Sequence, residues 1–246
     1  MMTIRRAEER HHDRRGKQGV WLTFYPRDRA HARADHFGPL KGLSERRLPP
    51  GAIALRTPHH DAEIVTYVCE GALAYEDAPG RSGVMRAGEF QVPTAWHGNR
   101  PRDKNASRSD WARVFQLLLV PSGPGLGPGH EHKRFSMAQR RGGLCVVASG
   151  DGRRGSLRIH QDALMCSALL DPGQHLVHEL PQGRIAWLHL VEGEVTLGDI
   201  ILTTGDGAGV TAERAVSLTA ASETEILLLD LRGEPTGACS ERVRDS

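Results

Sequence analysis

Aromatic side chains are scarce in this sequence, at 5% of its 246 residues. That argues against a surface on which the bases of a nucleic-acid strand would stack. No apolar run approaches the roughly 20 residues that a membrane-spanning helix needs; the longest, 115–120 and 226–229, are strand-sized. An excess of one charge is also missing. Thirty-two basic residues stand against 30 acidic ones, net +2, so no polyanionic partner is demanded and direct nucleic-acid binding is not expected. Cysteine is sparse: Cys69, Cys145, Cys166 and Cys239 lie far apart without C-x-x-C spacing, which reads as free thiols in a reducing compartment. Segment 1–18 is rich in arginine and lacks the apolar stretch of a secretion signal, and Glu8, Glu9 and Asp13 speak against an organelle transit peptide. The expectation is a cytoplasmic protein with no membrane partner. Neither a G-x-S-x-G elbow nor a phosphate-binding P-loop occurs.

Glycine (28) and proline (14), by contrast, are plentiful and cut the chain into short apolar or alternating pieces. Strands are expected at 52–56, 64–69, 90–92, 114–120, 144–147, 157–160, 164–170, 185–191, 194–197, 216–219 and 225–231. One short helix is expected at 5–12. Many short strands separated by turn signals point to an all-β sandwich or barrel. The Gly/Pro-rich string following Val120 stops both helix and strand and falls near the middle of the chain. On either side of it the same plan recurs. Pro50-Gly51 leads through an apolar strand to Glu70-Gly71, and Pro172-Gly173 leads likewise to Glu192-Gly193, each pair of glycines 20 residues apart. The expected organisation is a barrel over 1–120, a linker over 121–135, a second barrel over 136–232 and a polar tail over 233–246.

The first unit resembles the cupin signature, whose two motifs have the forms G-x5-H-x-H-x3–4-E-x6–7-G and G-x5-P-x-G-x2-H-x3-N. Gly51, Thr57-Pro58-His59, Glu63 and Gly71 follow the first, and Gly88, Pro93, Gly98, Pro101 and Asn105 follow the second, with Pro93 one place early. The strings 66–71 (Thr-Tyr-Val-Cys-Glu-Gly), 87–91 (Ala-Gly-Glu-Phe-Gln) and 155–162 (Gly-Ser-Leu-Arg-Ile-His-Gln-Asp) narrow the resemblance to the pirin family, over residues 4–232. The resemblance implies an all-β bicupin: two jelly-roll barrels in tandem with few short helices. It also implies one metal, usually iron, in the N-terminal barrel, and in some members quercetin 2,3-dioxygenase activity. Carried over by position, the metal-ligand set here is Thr57, His59, Pro101 and Asp103. His59 and Asp103 keep ligand chemistry, Thr57 is a poor ligand, and Pro101 has no side-chain donor.

Residues i and i+2 of a strand point to one face, which is why the family motif alternates. His60 should therefore point away from His59, whereas His97, four residues before Pro101, is a further candidate that would complete a facial set with His59 and Asp103. Glu63 is the candidate for handling a proton. The other histidines read as follows: His11 and His12 solvated, His130 and His132 in the linker, His175 and His178 bracketing a loop, and His189 a satisfied core residue. In the second unit Glu179 and Pro181 stand at the repeat-equivalents of Thr57 and His59, so no metal site is expected there. Arg100, Arg102, Lys104 and Arg108 form a basic patch beside Asp103. The expected cofactor is none or a weakly bound divalent metal. The main functional reading is a metal-poor module, taken to be monomeric, that binds a small aromatic ligand or a protein partner. The alternative is a metal-dependent, quercetin 2,3-dioxygenase-like oxygenase with a remodelled site.

Overall fold

The computed structural model describes residues 1–25, 36–55, 62–77, 81–92, 102–123 and 131–233. The first half of the chain forms β1 (Met2–Arg5), β2 (His11–Arg15), β3 (Gln18–Phe24), β4 (Leu40–Leu48), β5 (Ile53–Leu55), β6 (Glu63–Glu70), β7 (Ala72–Asp77), β8 (Arg81–Arg86), β9 (Glu89–Val92), β10 (Arg102–Asn105) and β11 (Ala112–Leu119). The second half adds β12 (Glu131–Arg134), α1 (Met137–Arg140), β13 (Cys145–Ser149), β14 (Leu157–Arg158), β15 (Ala163–Leu170), β16 (His175–Glu179) and β17 (Arg184–Glu192). It ends with β18 (Glu194–Leu197), β19 (Ile200–Thr203), β20 (Gly207–Val210), β21 (Ala215–Ala220) and β22 (Thr224–Arg232). Each half is a two-sheet barrel. The first pairs a seven-stranded sheet, β12-β9-β6-β11-β4-β3-β2, with a four-stranded sheet, β5-β10-β7-β8. The second pairs β1-β20-β17-β22-β15-β13-β14 with β16-β21-β18-β19. The all-β, two-barrel expectation therefore holds.

The two seven-stranded sheets face one another. Between them lies one apolar core, including Phe24, Val65, Tyr67, Phe90, Phe115 and Leu117 from the first and Val147, Met165, Trp187, Leu227 and Leu229 from the second. A second core fills the C-terminal barrel around Leu188, Leu202 and Leu228, and a smaller one fills the N-terminal barrel around Val68, Leu73 and Met85. The central strands β6 and β11 are thus covered on both faces, which explains why they read as nearly continuous apolar runs in the sequence; all eight residues of β11 are buried.

The halves also exchange strands. β1 lies beside β20 in the second barrel's sheet, and β12 lies beside β9 in the first barrel's. Residues 131–134, expected in the linker, are therefore strand, because their backbone completes an otherwise open sheet edge. The helix expected at 5–12 is reduced to a single 3-10 turn, Ala7–Glu9, between β1 and β2. Local polarity suggested a helix there, but strand pairing at both ends takes the backbone hydrogen bonds. His175 and His178, expected to bracket a loop, both sit on β16, where pairing with β21 fixes them.

Buried ion pairs tie the halves together. The Arg113 guanidinium donates through Nε to Glu45 Oε1 at 2.8 Å, through Nη1 to Glu192 Oε2 at 2.7 Å and through Nη2 to the Val191 carbonyl at 2.6 Å. Arg10 donates to the other Glu45 oxygen at 3.0 Å. Burial pushes the Glu45 carboxyl up, but Arg113 and Arg10 outweigh it and hold its pKa below the ordinary value. Across the same interface Arg140 Nη1 donates to Tyr67 Oη and to Glu225 Oε1, both at 2.8 Å, while the Tyr67 hydroxyl donates to Glu225.

Candidate functional site

Strand pairing assembles a polar row on the inner face of the first barrel. Gln91 of β9 pairs with Thr66 of β6, Thr66 pairs with Gln116 of β11, and Gln116 pairs with Ser44 of β4. Cross-strand partners project to the same face, so the four side chains lie side by side across four strands, looking into the lumen. All are buried: Thr66 and Gln91 fully, with Ser44 and Gln116 retaining under a tenth of their surface. From the opposing four-stranded sheet comes Asp103. It pairs with the core residue Ala54, is 1% exposed, and accepts from Gln116 Nε2 at 3.4 Å. That separation is at the long end of a hydrogen bond. The Thr66 hydroxyl has no hydrogen-bond partner among the described residues. Below the row the barrel interior is packed by the apolar cluster around Val68, Leu73 and Met85.

The matching face of the second barrel is different. There the central strands present Cys166, Ala168, Leu188, Leu190, Ile226 and Leu228, so that lumen is filled by a hydrophobic core. A polar set stands beside it, with Asp230 two residues along β22 from Leu228. His178 Nε2 is 2.8 Å from Asp230 Oδ2, and Arg184 Nε donates to Asp230 Oδ1 at 2.6 Å. Burial raises the Asp230 carboxyl, yet the hydrogen bonds from His178 and Arg184 outweigh it and hold the pKa below the usual value. The repeat-equivalent residues Glu179 and Pro181 are exposed. The inward-facing imidazole is instead His178, one place earlier than the repeat spacing indicates, and it is tied up in this carboxylate pair.

The sequence candidates fall unevenly around the first lumen. Asp103 is where strand alternation placed it, facing inward beside Asn105, with Lys104 exposed between them. Asn105 pins the neighbouring loop by donating to the carbonyls of Leu48, Pro49 and Asp110 at 2.8–3.1 Å. Thr57, His59, His60, His97, Arg100 and Pro101 lie outside the described residues, as does His130. Glu63 is not brought to the lumen. It alternates with Val65 and Tyr67 toward the other half of the chain and accepts from His160 N at 2.8 Å, with His160 Nδ1 3.0 Å from its second oxygen. Its role in this structure is to anchor the two halves. Among the described residues no group of three or more His, Cys, Asp or Glu side chains is placed to hold a metal. Of the four positions that the resemblance assigns to a metal, only Asp103 lies among the described residues; at the others Thr57 would offer a neutral hydroxyl and Pro101 no side-chain donor.

Two family models match the chain: Pirin over residues 23–119, and Quercetinase C-terminal cupin domain over residues 146–231. A protein named quercetin 2,3-dioxygenase, from Escherichia coli K12, is 33% identical over 231 residues, which is 94% of this chain and 99% of that protein. The chain belongs to the pirin family. Another pirin relative, the pirin-like protein of Caulobacter vibrioides, is 31% identical over 79% of this chain and 84% of its own. Among solved pirin structures, that of a bacterial pirin from Escherichia coli in complex with nickel(II) superposes with a TM-score of 0.85 at 31% identity, covering 95% of this chain and all of that one. The two-barrel pirin architecture and the membership expected from the motifs therefore stand, and the family is one in which metal binding occurs.

Sequence reasoning missed most of the polar row. Its signal was present: Thr66 and Gln116 interrupt the apolar strings Ile-Val-Thr-Tyr-Val and Val-Phe-Gln-Leu-Leu at the same inward phase. The pairing register that aligns them is not visible in a single sequence. The three described cysteines are free thiols, Cys166 buried and the other two partly so. Burial raises the thiol pKa of Cys69 and Cys145 and pushes that of Cys166 up to about 12. No helix among the described residues is long and apolar enough to cross a membrane.

Proposed function

We propose that this pirin binds a planar polyphenol of the quercetin class in the lumen of its first barrel. The observation that carries the proposal is the buried polar row Gln91, Thr66, Gln116 and Ser44 facing Asp103 above that apolar cluster. A flat, hydroxyl-rich ring system asks for that combination: apolar surface beneath the rings and fixed donors and acceptors at their edge. Gln116 and Gln91 can donate or accept, the Thr66 hydroxyl can do both, and the Asp103 carboxylate accepts from a phenolic hydroxyl. The names of the relatives support the ligand class.

Because Thr57 and Pro101 do not supply the family's ligand chemistry, the chain's own polar and apolar side chains hold the polyphenol, with no step routed through a metal. The comparisons favour the oxygenase reading: the quercetin 2,3-dioxygenase of Escherichia coli K12 is 33% identical across nearly the whole chain, and the solved pirin at 31% identity holds nickel(II). That reading would rest on His59 and Asp103, with His97 as third ligand. One experiment separates the two. Quercetin is titrated into purified protein in air, alone and with Fe(II), Ni(II), Co(II) or Mn(II), following its absorbance. The expected result is a saturable spectral shift without loss of quercetin under any condition. Sustained consumption that tracks a stoichiometric metal would replace the binding reading with the oxygenase one.

A further inference from the structure

A cleft of about 610 Å³ opens at the end of the sheet–sheet interface, lined by residues of the β2–β3 hairpin, β4, the ends of β6 and β11, and Glu192 of the other half. It holds two of the chain's four tryptophans, Trp21 and Trp111. Trp111 leaves half its surface in water. Trp21 is fixed. His12 stacks on it with ring centroids 4.4 Å apart and planes 8° from parallel, and the Arg47 guanidinium lies 5.2 Å from its ring. Gly19 makes this possible, since a Cβ there would meet the indole at 2.6 Å.

The charge of the cleft is equally specific. Its two carboxylates, Glu70 and Glu192, are held by Arg113, at 3.6 and 2.7 Å. Arg47 shares Glu45 with Arg113, its Nε donating at 3.1 Å. Arg14 and Lys17 have no carboxylate partner among the described residues, and both face the cleft from the hairpin. Net positive charge therefore remains at one end of a preorganised aromatic wall.

We propose that this cleft binds a small planar aromatic anion, the ring stacking on Trp111 and the anionic group held by Arg14 and Lys17. Arg14 Nε donates to the Gly16 carbonyl at 3.3 Å, and its charge has no carboxylate beside it among the described residues. Stacking on an exposed indole and ion pairing with such cations reinforce each other when one ligand carries both features. The volume lies within the range of small-molecule sites. Two sources share this chemistry, a nucleoside monophosphate and an aromatic carboxylate. The cleft is separate from the first lumen, so the inference is independent of the function proposed above.

The test is calorimetric titration with adenosine monophosphate, benzoate, inorganic phosphate and adenosine. The same titrations are run on Trp111→Ala and on Arg14→Glu/Lys17→Glu, both confined to exposed side chains and checked for fold by circular dichroism. Saturable binding of adenosine monophosphate or benzoate is expected, about tenfold tighter than phosphate or adenosine and weakened about tenfold or more by either variant. The tighter of the two aromatic anions identifies the source. No binding of either, or binding that neither variant alters, overturns the proposal. So does binding of a long single-stranded oligonucleotide with no measurable affinity for adenosine monophosphate.

Discussion

His189 carries the sharpest residue-scale consequence. It is fully buried in the sheet–sheet interface, 5.6 Å from Phe115 by ring centroid, and neither ring nitrogen has a hydrogen-bond partner among the described residues. The sequence predicts a satisfied core histidine; the structure places this one against Phe115, near the Arg10–Glu45–Arg113 ion pairs, without a bond to any of them. Burial, helped by Arg10 and Arg113, pushes its pKa down to about 3. The unfolded chain takes up a proton on this residue below about pH 6.5, whereas the folded chain resists it until about pH 3. Stability must therefore fall as pH drops through that window. His189→Leu removes the group that titrates. By chemical denaturation its stability relative to the wild type should rise by about 1.4 kcal/mol for each pH unit below 6.5, reaching about 2 kcal/mol at pH 5. A pH-independent difference would show that the imidazole is hydrogen-bonded or hydrated. The metal question is also a residue-scale one. Thr57→His with Pro101→His restores the family's ligand types, and nickel(II) affinity by calorimetry should rise at least about 100-fold over the wild type. An unchanged affinity would mean that the two motifs are not in the register assigned to them.

At the scale of elements, the turns that carry the repeat were legible because glycine is the only residue suited to them. Gly71 and Gly193 close equivalent hairpins at φ +73° and +94°, and a Cβ would meet the Trp111 carbonyl at 2.3 Å in one and the Glu223 carbonyl at 2.4 Å in the other. Gly71→Ala and Gly193→Ala should each cost about 2–4 kcal/mol in unfolding experiments, while Gly16→Ala, where nothing lies within 4 Å, should cost less. Equal effects at all three would place the cost in φ alone. The central strands β6, β11, β15, β17 and β22 were equally legible, being mostly apolar and covered on both faces. β2, β3, β4 and β12 were not. Arginine, histidine or lysine crowd β2, β4 and β12, β3 opens on Gln18-Gly19, and pairing with a neighbouring strand, such as β9 for β12, is what makes them strands. The His178–Asp230 pair escaped for a related reason: β16 is phased by its pairing with β21, not by the glycine spacing that relates the two halves.

For the whole molecule, the shared core and the exchanged strands make the two barrels one folding problem. The cluster between the seven-stranded sheets draws on both halves, β1 completes the second barrel and β12 the first. Residues 1–120 and 121–246 expressed separately are expected to lack cooperative thermal unfolding, and to recover it on co-expression. Independent cooperative folding of either half would contradict that coupling. The bicupin plan could be read from the sequence because motif spacing survives without a partner; the polar lumen could not, because it exists only when four strands align.

The central claim, that the first lumen holds a polyphenol through its polar row, is tested most directly by quercetin affinity in protein stripped with a chelator. One-to-one binding should persist without metal and weaken about tenfold or more in the Thr66→Val/Gln116→Leu double variant, which keeps side-chain volume while removing the donors. Binding that vanishes with the chelator, or that the double variant leaves intact, would contradict it.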